Sequence, residues 1–284
     1  MTAKDESYAH CEALIREGDR DRWLACMFAP AEKRPHLHAL YAFNLEVSRV
    51  AAQVTQPLLG EMRLRFWSDL LQGQAPGEAR DNPVAAALLD TLDAGRLDRE
   101  PLLELLEARC FDLYGEPHPD LAALDVYCDL TAGTLFRLAG RILAGEAASG
   151  GAASGEAASG AAAEAAGRAY ALTGLLRALP WLAAEHKSFI PADMAAAHGV
   201  SALAPGHAPG LPGVLAELRA HARRNLEKTR TALASTPARE RPAYRVMALP
   251  KIFLARMDKA ADPLAPLPEV AQWRRQWALL RGKI

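Results

Sequence analysis

Ala169-Tyr170-Ala171-Leu172-Thr173-Gly174-Leu175-Leu176-Arg177-Ala178-Leu179-Pro180-Trp181-Leu182 reads as one helix, because leucine and alanine fill it and its apolar side chains recur at intervals of three and four. Residues three, seven and eleven positions apart share a helical face. Ala171, Gly174, Ala178 and Leu182 therefore line one wall, and that wall is wholly apolar. From Gly167 to Ala184 there is no acidic side chain. A second such stretch is Ala39-Leu40-Tyr41-Ala42-Phe43-Asn44-Leu45-Glu46-Val47-Ser48-Arg49-Val50-Ala51-Ala52. Between Leu37 and Gly60 the only acid is Glu46. It lies one turn before Arg49, and the two are expected to pair.

The rest of the chain has the same character. Of its 284 residues half are hydrophobic, yet only fourteen are Val or Ile, while Ala and Leu dominate. That balance favours helix over strand and predicts an all-α fold, read as a single domain over 1–284. Helix punctuation is frequent: Pro30 precedes a long helix ending before Pro57, Asn82-Pro83 opens one closed by Gly95, and Pro101 opens one reaching Gly115. Further helices are expected over Asp120 to Ala144, Glu164 to Glu185, Leu211 to Ser235, Arg241 to Met257 and Glu269 to Arg281. The segment 146–163 repeats Ala-Ala-Ser-Gly three times and predicts a flexible loop inserted between core helices.

A net charge of −1 and a pI near 6.7 give no electrostatic case for nucleic acid. Cys11, Cys26, Cys110 and Cys128 lack CxxC pairing, so neither a zinc site nor a disulfide framework is expected, and a reducing compartment fits. His36 and His38 lie two apart and do not share a helix face, which argues against a metal pair. The start of the chain lacks the apolar core of a signal peptide, and its most apolar helix is interrupted by Arg177 and Pro180. No segment offers the roughly 20 apolar residues that cross a bilayer. The expected location is cytoplasmic, with a peripheral position on the inner face of the membrane open.

The two opening stretches resemble the aspartate-rich helices of the squalene and phytoene synthase family. That family's first helix runs ALYAF and then DDxxD; the aspartate positions here fall on Ser48, Arg49 and Ala52. Its second reads AxQLTNILRDVxED and then RxYLP, where this chain has Ala171, Gly174, Ala178 and Leu182 for the Gln, Asn and two Asp, followed by Lys187-Ser188-Phe189-Ile190-Pro191. Asp21-Arg22-Trp23 through Phe28-Ala29-Pro30 resembles the family's opening helix, Val126-Tyr127-Cys128-Asp129-Leu130-Thr131-Ala132-Gly133-Thr134-Leu135 its central YCxxVAGTVG helix, and Arg241-Pro242-Ala243-Tyr244 the start of a late one. The resemblance implies the isoprenoid-synthase fold, a helical bundle around a central cavity. Phe43 to Arg49, Pro57 and Gly60 to Asp69 are similar to the FNxExxxV and GxxRxxFW stretches of a divergent branch, the bacterial relatives of a mitochondrial complex I assembly factor. That branch is thought to keep the fold without the chemistry.

Family enzymes hold prenyl diphosphates through magnesium, which needs hard oxygen ligands. Neither wall here can build such a cluster, so no catalytic residue, metal ligand or cofactor is expected, magnesium entering only if the chain is enzymatic after all. The resemblance thus implies a non-catalytic protein acting with respiratory complex I subunits or assembly intermediates. A prenyl-diphosphate transferase with a degenerate metal site is the alternative, and an isoprenoid or lipid carrier a third. Tyr41, Ser48, Arg49, Tyr127, Tyr170, Thr173 and Arg177 are the candidate cavity or anion contacts. Each has a plainer reading: the tyrosines as core, Arg177 as a snorkelling or paired cation. Asp125 and Asp129, four apart, read as a solvated acidic face. In the run Glu269 to Arg281, Trp273, Trp277 and Leu280 share one face with Arg274, Arg275 and Arg281 beside it. That face either docks on the bundle or is a basic amphipathic element for a membrane surface or a membrane-bound assembly intermediate.

Overall fold

Helix-start chemistry sets the boundaries of the first elements in the computed structural model, which describes residues 2–75, 77, 81–145, 153–202 and 205–283. Thr2 caps α1 (Ala3–Gly18): its hydroxyl accepts from the Asp5 amide, and the Asp5 carboxylate accepts from the Thr2 amide. Amides that a helix start leaves unpaired are thereby satisfied. Asp19 caps α2 (Arg20–Cys26). Helix α3 (Arg34–Gln53) stops ahead of Pro57, which opens α4 (Pro57–Leu71). Asn82 caps α5 (Pro83–Asp93) as expected, and α6 (Glu100–Cys110) continues through a 3-10 turn toward Gly115, whose φ of +67° closes it.

The rod expected over Asp120 to Ala144 is present as α7 (Leu121–Cys128), a π-helical turn at Asp129–Gly133 and α8 (Thr134–Ala144). After it come α9 (Ala153–Ala184), α10 (Ala192–Ala197), α11 (Leu211–Ser235), α12 (Pro250–Met257) and α13 (Gln272–Arg281). Among the described residues there is no strand.

Three sequence expectations change. Residues 153–163, expected in a flexible loop, are helical, and Ala162 and Ala163 are fully buried. Alanine's helix propensity and the burial of these methyl groups outweigh the scattered Gly and Ser; residues 146–152 of the expected loop lie outside the described residues. The helix expected from Arg241 to Met257 is instead a 3-10 stretch, Arg241–Ala248, followed by α12. Pro250 marks the break, since it carries no amide to continue the ladder. The last helix begins at Gln272 rather than Glu269, and it docks through Leu279 while Trp273, Trp277 and Leu280 stay exposed.

Helix α9 joins two apolar cores. Its first half gives Ala162, Ala163, Ala166 and Ala169 to a core shared with α1 to α6 and α8; its second gives Leu172, Leu176 and Leu179 to a core shared with α7, α10 and α11. Small residues set the approach in the first half. A Cβ on Gly167 would lie 2.4 Å from the Gly133 amide nitrogen, so α9 packs on the π turn backbone to backbone.

Candidate functional site

On the first wall, α3 presents no metal ligand. Ser48 Oγ donates to the Leu45 carbonyl of its own helix at 3.3 Å. Arg49 does not pair with Glu46: its guanidinium reaches the Gly18 carbonyl at 3.4 Å, at the end of α1, where the helix dipole favours a cation. The Glu46 carboxyl is pushed up by burial, an effect that His10 and Asn82 oppose. Glu46, Arg49, Gln53, Arg63 and Asn82 give polar groups to one open cleft of about 410 Å³.

The second wall is equally bare. Ala171 and Ala178 are methyl groups, Gly174 has nothing within 4 Å of the place a Cβ would take, and Leu182 is half-buried. Thr173 is buried and donates to the Ala169 carbonyl at 2.6 Å, so its hydroxyl is already committed. The Arg177 guanidinium lies over the Phe253 ring, 3.9 Å from its centroid, with no carboxylate within 4 Å among the described residues. An aromatic face, rather than an acid, positions it.

Between α3 and α9 stands a side chain that the sequence did not single out as a candidate. The Arg22 guanidinium lies 5.3 Å from the Tyr41 ring of α3 and 4.7 Å from the Tyr170 ring of α9, and it bonds Asp19 at 2.9 Å. Arg22 and Tyr41 are both buried. Burial works against the Arg22 charge, but Tyr170, Asp19 and Tyr41 outweigh it and hold its pKa above the ordinary value. Burial raises the Tyr41 hydroxyl strongly and pushes Tyr170 up to about 12. Two of the candidate residues are thus brought together around an internal cation. The signal available in the sequence was Asp19 at i−3 from Arg22.

Tyr127 belongs elsewhere. Its hydroxyl donates to Asp112 at 2.8 Å and accepts from Arg109 at 2.7 Å, in a knot walled by Phe111 and His118. Asp125 and Asp129 are likewise not a solvated face. Arg168 holds Asp129 through Nε and Nη2 at 3.1 and 2.6 Å, reaches Glu164 at 2.5 Å and stands 3.8 Å from Asp125, which is also 2.8 Å from His221. Burial raises the Asp129 carboxyl and Arg168 pulls it back. A fixed guanidinium partners these acids and offsets part of their charge, and Glu164 at i−4 from Arg168 was its sequence signal.

Among the described residues no group of three or more His, Cys, Asp and Glu is placed to hold a metal. The residues at the family's magnesium positions offer methyls, a glycine, a leucine, a back-bonded hydroxyl and a cation, and so do not fit that ion.

The all-α bundle has the isoprenoid-synthase fold: a dehydrosqualene synthase structure superposes over 98% of this chain and 96% of its own with a TM-score of 0.76 at 18% identity. The squalene synthase HpnC of Alicyclobacillus acidocaldarius gives 0.68 over 90% and 94% at 19% identity. The chain belongs to the squalene/phytoene synthase family, whose model matches residues 15–281. It is 26% identical over 241 residues to the NADH dehydrogenase (ubiquinone) complex I assembly factor 6 of Mus musculus, covering 84% of this chain and 70% of that one. The human protein of that name is 25% identical over 238 residues, covering 83% and 69%. A 15-cis-phytoene synthase of Synechocystis matches at 26% identity over 139 residues, 49% of this chain and 41% of its own.

Proposed function

We propose that this protein is a non-catalytic, single-domain member of the family that acts in the assembly of respiratory complex I, without a resident metal or cofactor. The observation that carries this reading is the chemistry of the two walls: Ser48, Arg49, Ala52, Ala171, Gly174, Ala178 and Leu182 stand where oxygen ligands would be needed, and Arg22 fills the space between Tyr41 and Tyr170. A diphosphate leaving group would find no metal there to compensate its developing charge. The likeness to assembly factor 6 over most of the chain supports the same reading. Prenyl transfer keeps little beyond Arg177, because Phe189 and Ile190 of the retained motif are buried core. In this reading the protein meets complex I subunits or assembly intermediates at the inner face of the membrane, using the surface that contains α13.

Deleting the gene tests the reading. Loss of assembled complex I with an unchanged isoprenoid profile supports it; intact complex I with altered isoprenoids favours the transferase.

A further inference from the structure

Helix α13 is held by a minority of its side chains. Leu279 is 1% exposed, and Arg275 forms a two-point ion pair with Asp21 of α2. Trp273, Trp277 and Leu280 remain 63%, 50% and 58% exposed. They do not stand alone, because Leu24 of α2 with Met27 and Phe28 of the turn after it continue the apolar surface into an open groove of about 670 Å³. The surface is therefore built by two elements from opposite ends of the sequence.

On the α13 side of this surface the charge has one sign. From Gln272 to Lys283 there is no acidic residue. Arg274 lies over the Trp273 ring at 5.3 Å, Arg281 over Trp277 at 4.9 Å and Arg245 over Phe28 at 4.1 Å. Among the described residues none of these three guanidiniums has a carboxylate within 4 Å. Arg275 is neutralised by Asp21, so the free positive charge lies beside the aromatic side chains and not beneath them.

We propose that this two-element face seats on an anionic phospholipid bilayer, Trp273, Trp277, Leu280 and Phe28 entering the interface while Arg245, Arg274 and Arg281 meet lipid phosphates. Amphipathic indole rings settle at the headgroup level of a bilayer, and unpaired guanidiniums next to them are attracted to its negative surface. An apolar ridge flanked by unpaired cations, with Asp21 neutralised by Arg275, is the arrangement by which a surface helix lies in that interface. The inference deepens the proposed position at the inner face of the membrane and rests on it.

The full-length protein should co-sediment with vesicles of phosphatidylcholine mixed with phosphatidylglycerol, and only weakly with phosphatidylcholine alone. Rising salt should release it. Arg274→Gln with Arg281→Gln should lower partitioning on anionic vesicles by roughly fivefold per side chain removed. Trp273→Ser with Trp277→Ser should lower it tenfold or more on either lipid, with matched melting curves confirming the fold. Brominated lipid should quench part of the wild-type tryptophan emission, a readout that needs no variant. Wild type that stays in the supernatant with both vesicles, equal binding to neutral and anionic lipid, or full binding by the tryptophan variant overturns the proposal. Complex I is absent from this assay, so its failure leaves the proposed function standing, and normal complex I in the deletion strain leaves the surface standing.

Discussion

Arg168→Met removes the cation that holds Asp125, Asp129 and Glu164 together. The Arg168 side chain is 22% exposed, and those of Asp125 and Asp129 are 17% and 19%. Removing one partner of a buried ion pair costs about 3–5 kcal/mol because it leaves an uncompensated charge, and this partial exposure puts the case at the lower end, about 3 kcal/mol. At about 2–4 °C per kcal/mol for a large domain, the melting temperature should fall by about 6 °C or more. The loss should depend on pH in one direction. Burial raises the Asp129 carboxyl and Arg168 opposes it, so the variant's folded-state pKa rises further above the unfolded value. A group raised in the folded state contributes stability at low pH and loses it as pH climbs through the folded pKa. The difference between wild type and variant should therefore be larger at about pH 7.5 than at about pH 5, and Asp129→Asn in the variant background should recover part of it. Calorimetric melts at the two pH values decide the matter. A shift under about 1 °C, equal at both, would refute the view that the half-buried Arg168 guanidinium holds these acids.

Gly167→Ala should destabilise although alanine is the better helix former by about 1 kcal/mol, because its methyl would enter Gly133 backbone; a rise in urea midpoint would show that α9 and the π turn are not in contact. Leu182→Asp with Ala178→Asp should lower the melting temperature, and magnesium should not restore it; a magnesium-dependent gain would show that the wall can still build a metal site. His36 and His38 are held by burial at pKa values of about 4, below their ordinary 6.5. The unfolded chain binds those protons more readily, so stability should fall as pH drops from about 6.5 toward 4, and His38→Gln should flatten a urea-midpoint profile over that window.

The all-α fold was legible because Asn82-Pro83, Pro57 and the Ala/Leu-rich runs act locally, through caps and propensity. The bare walls were legible for the same reason, since helical periodicity alone lines up Ala171, Gly174, Ala178 and Leu182. What escaped depends on partners distant in sequence. Arg22 is ordinary until α3 and α9 bring Tyr41 and Tyr170 to it, and Asp129 looks solvated until α9 delivers Arg168. Glu46 and Arg49 have the spacing of a pair, but the end of α1 offers Arg49 a carbonyl instead. The Ala-Ser-Gly stretch misled for the opposite reason: its composition is that of a linker, yet residues 153–163 find a core to pack against.

The most direct test gives the purified full-length protein farnesyl or geranylgeranyl diphosphate with magnesium and measures released diphosphate and prenyl products. We expect no release above the protein-free rate and no squalene, phytoene or presqualene product. Diphosphate release that disappears with EDTA, accompanied by such a product, would contradict the non-catalytic reading.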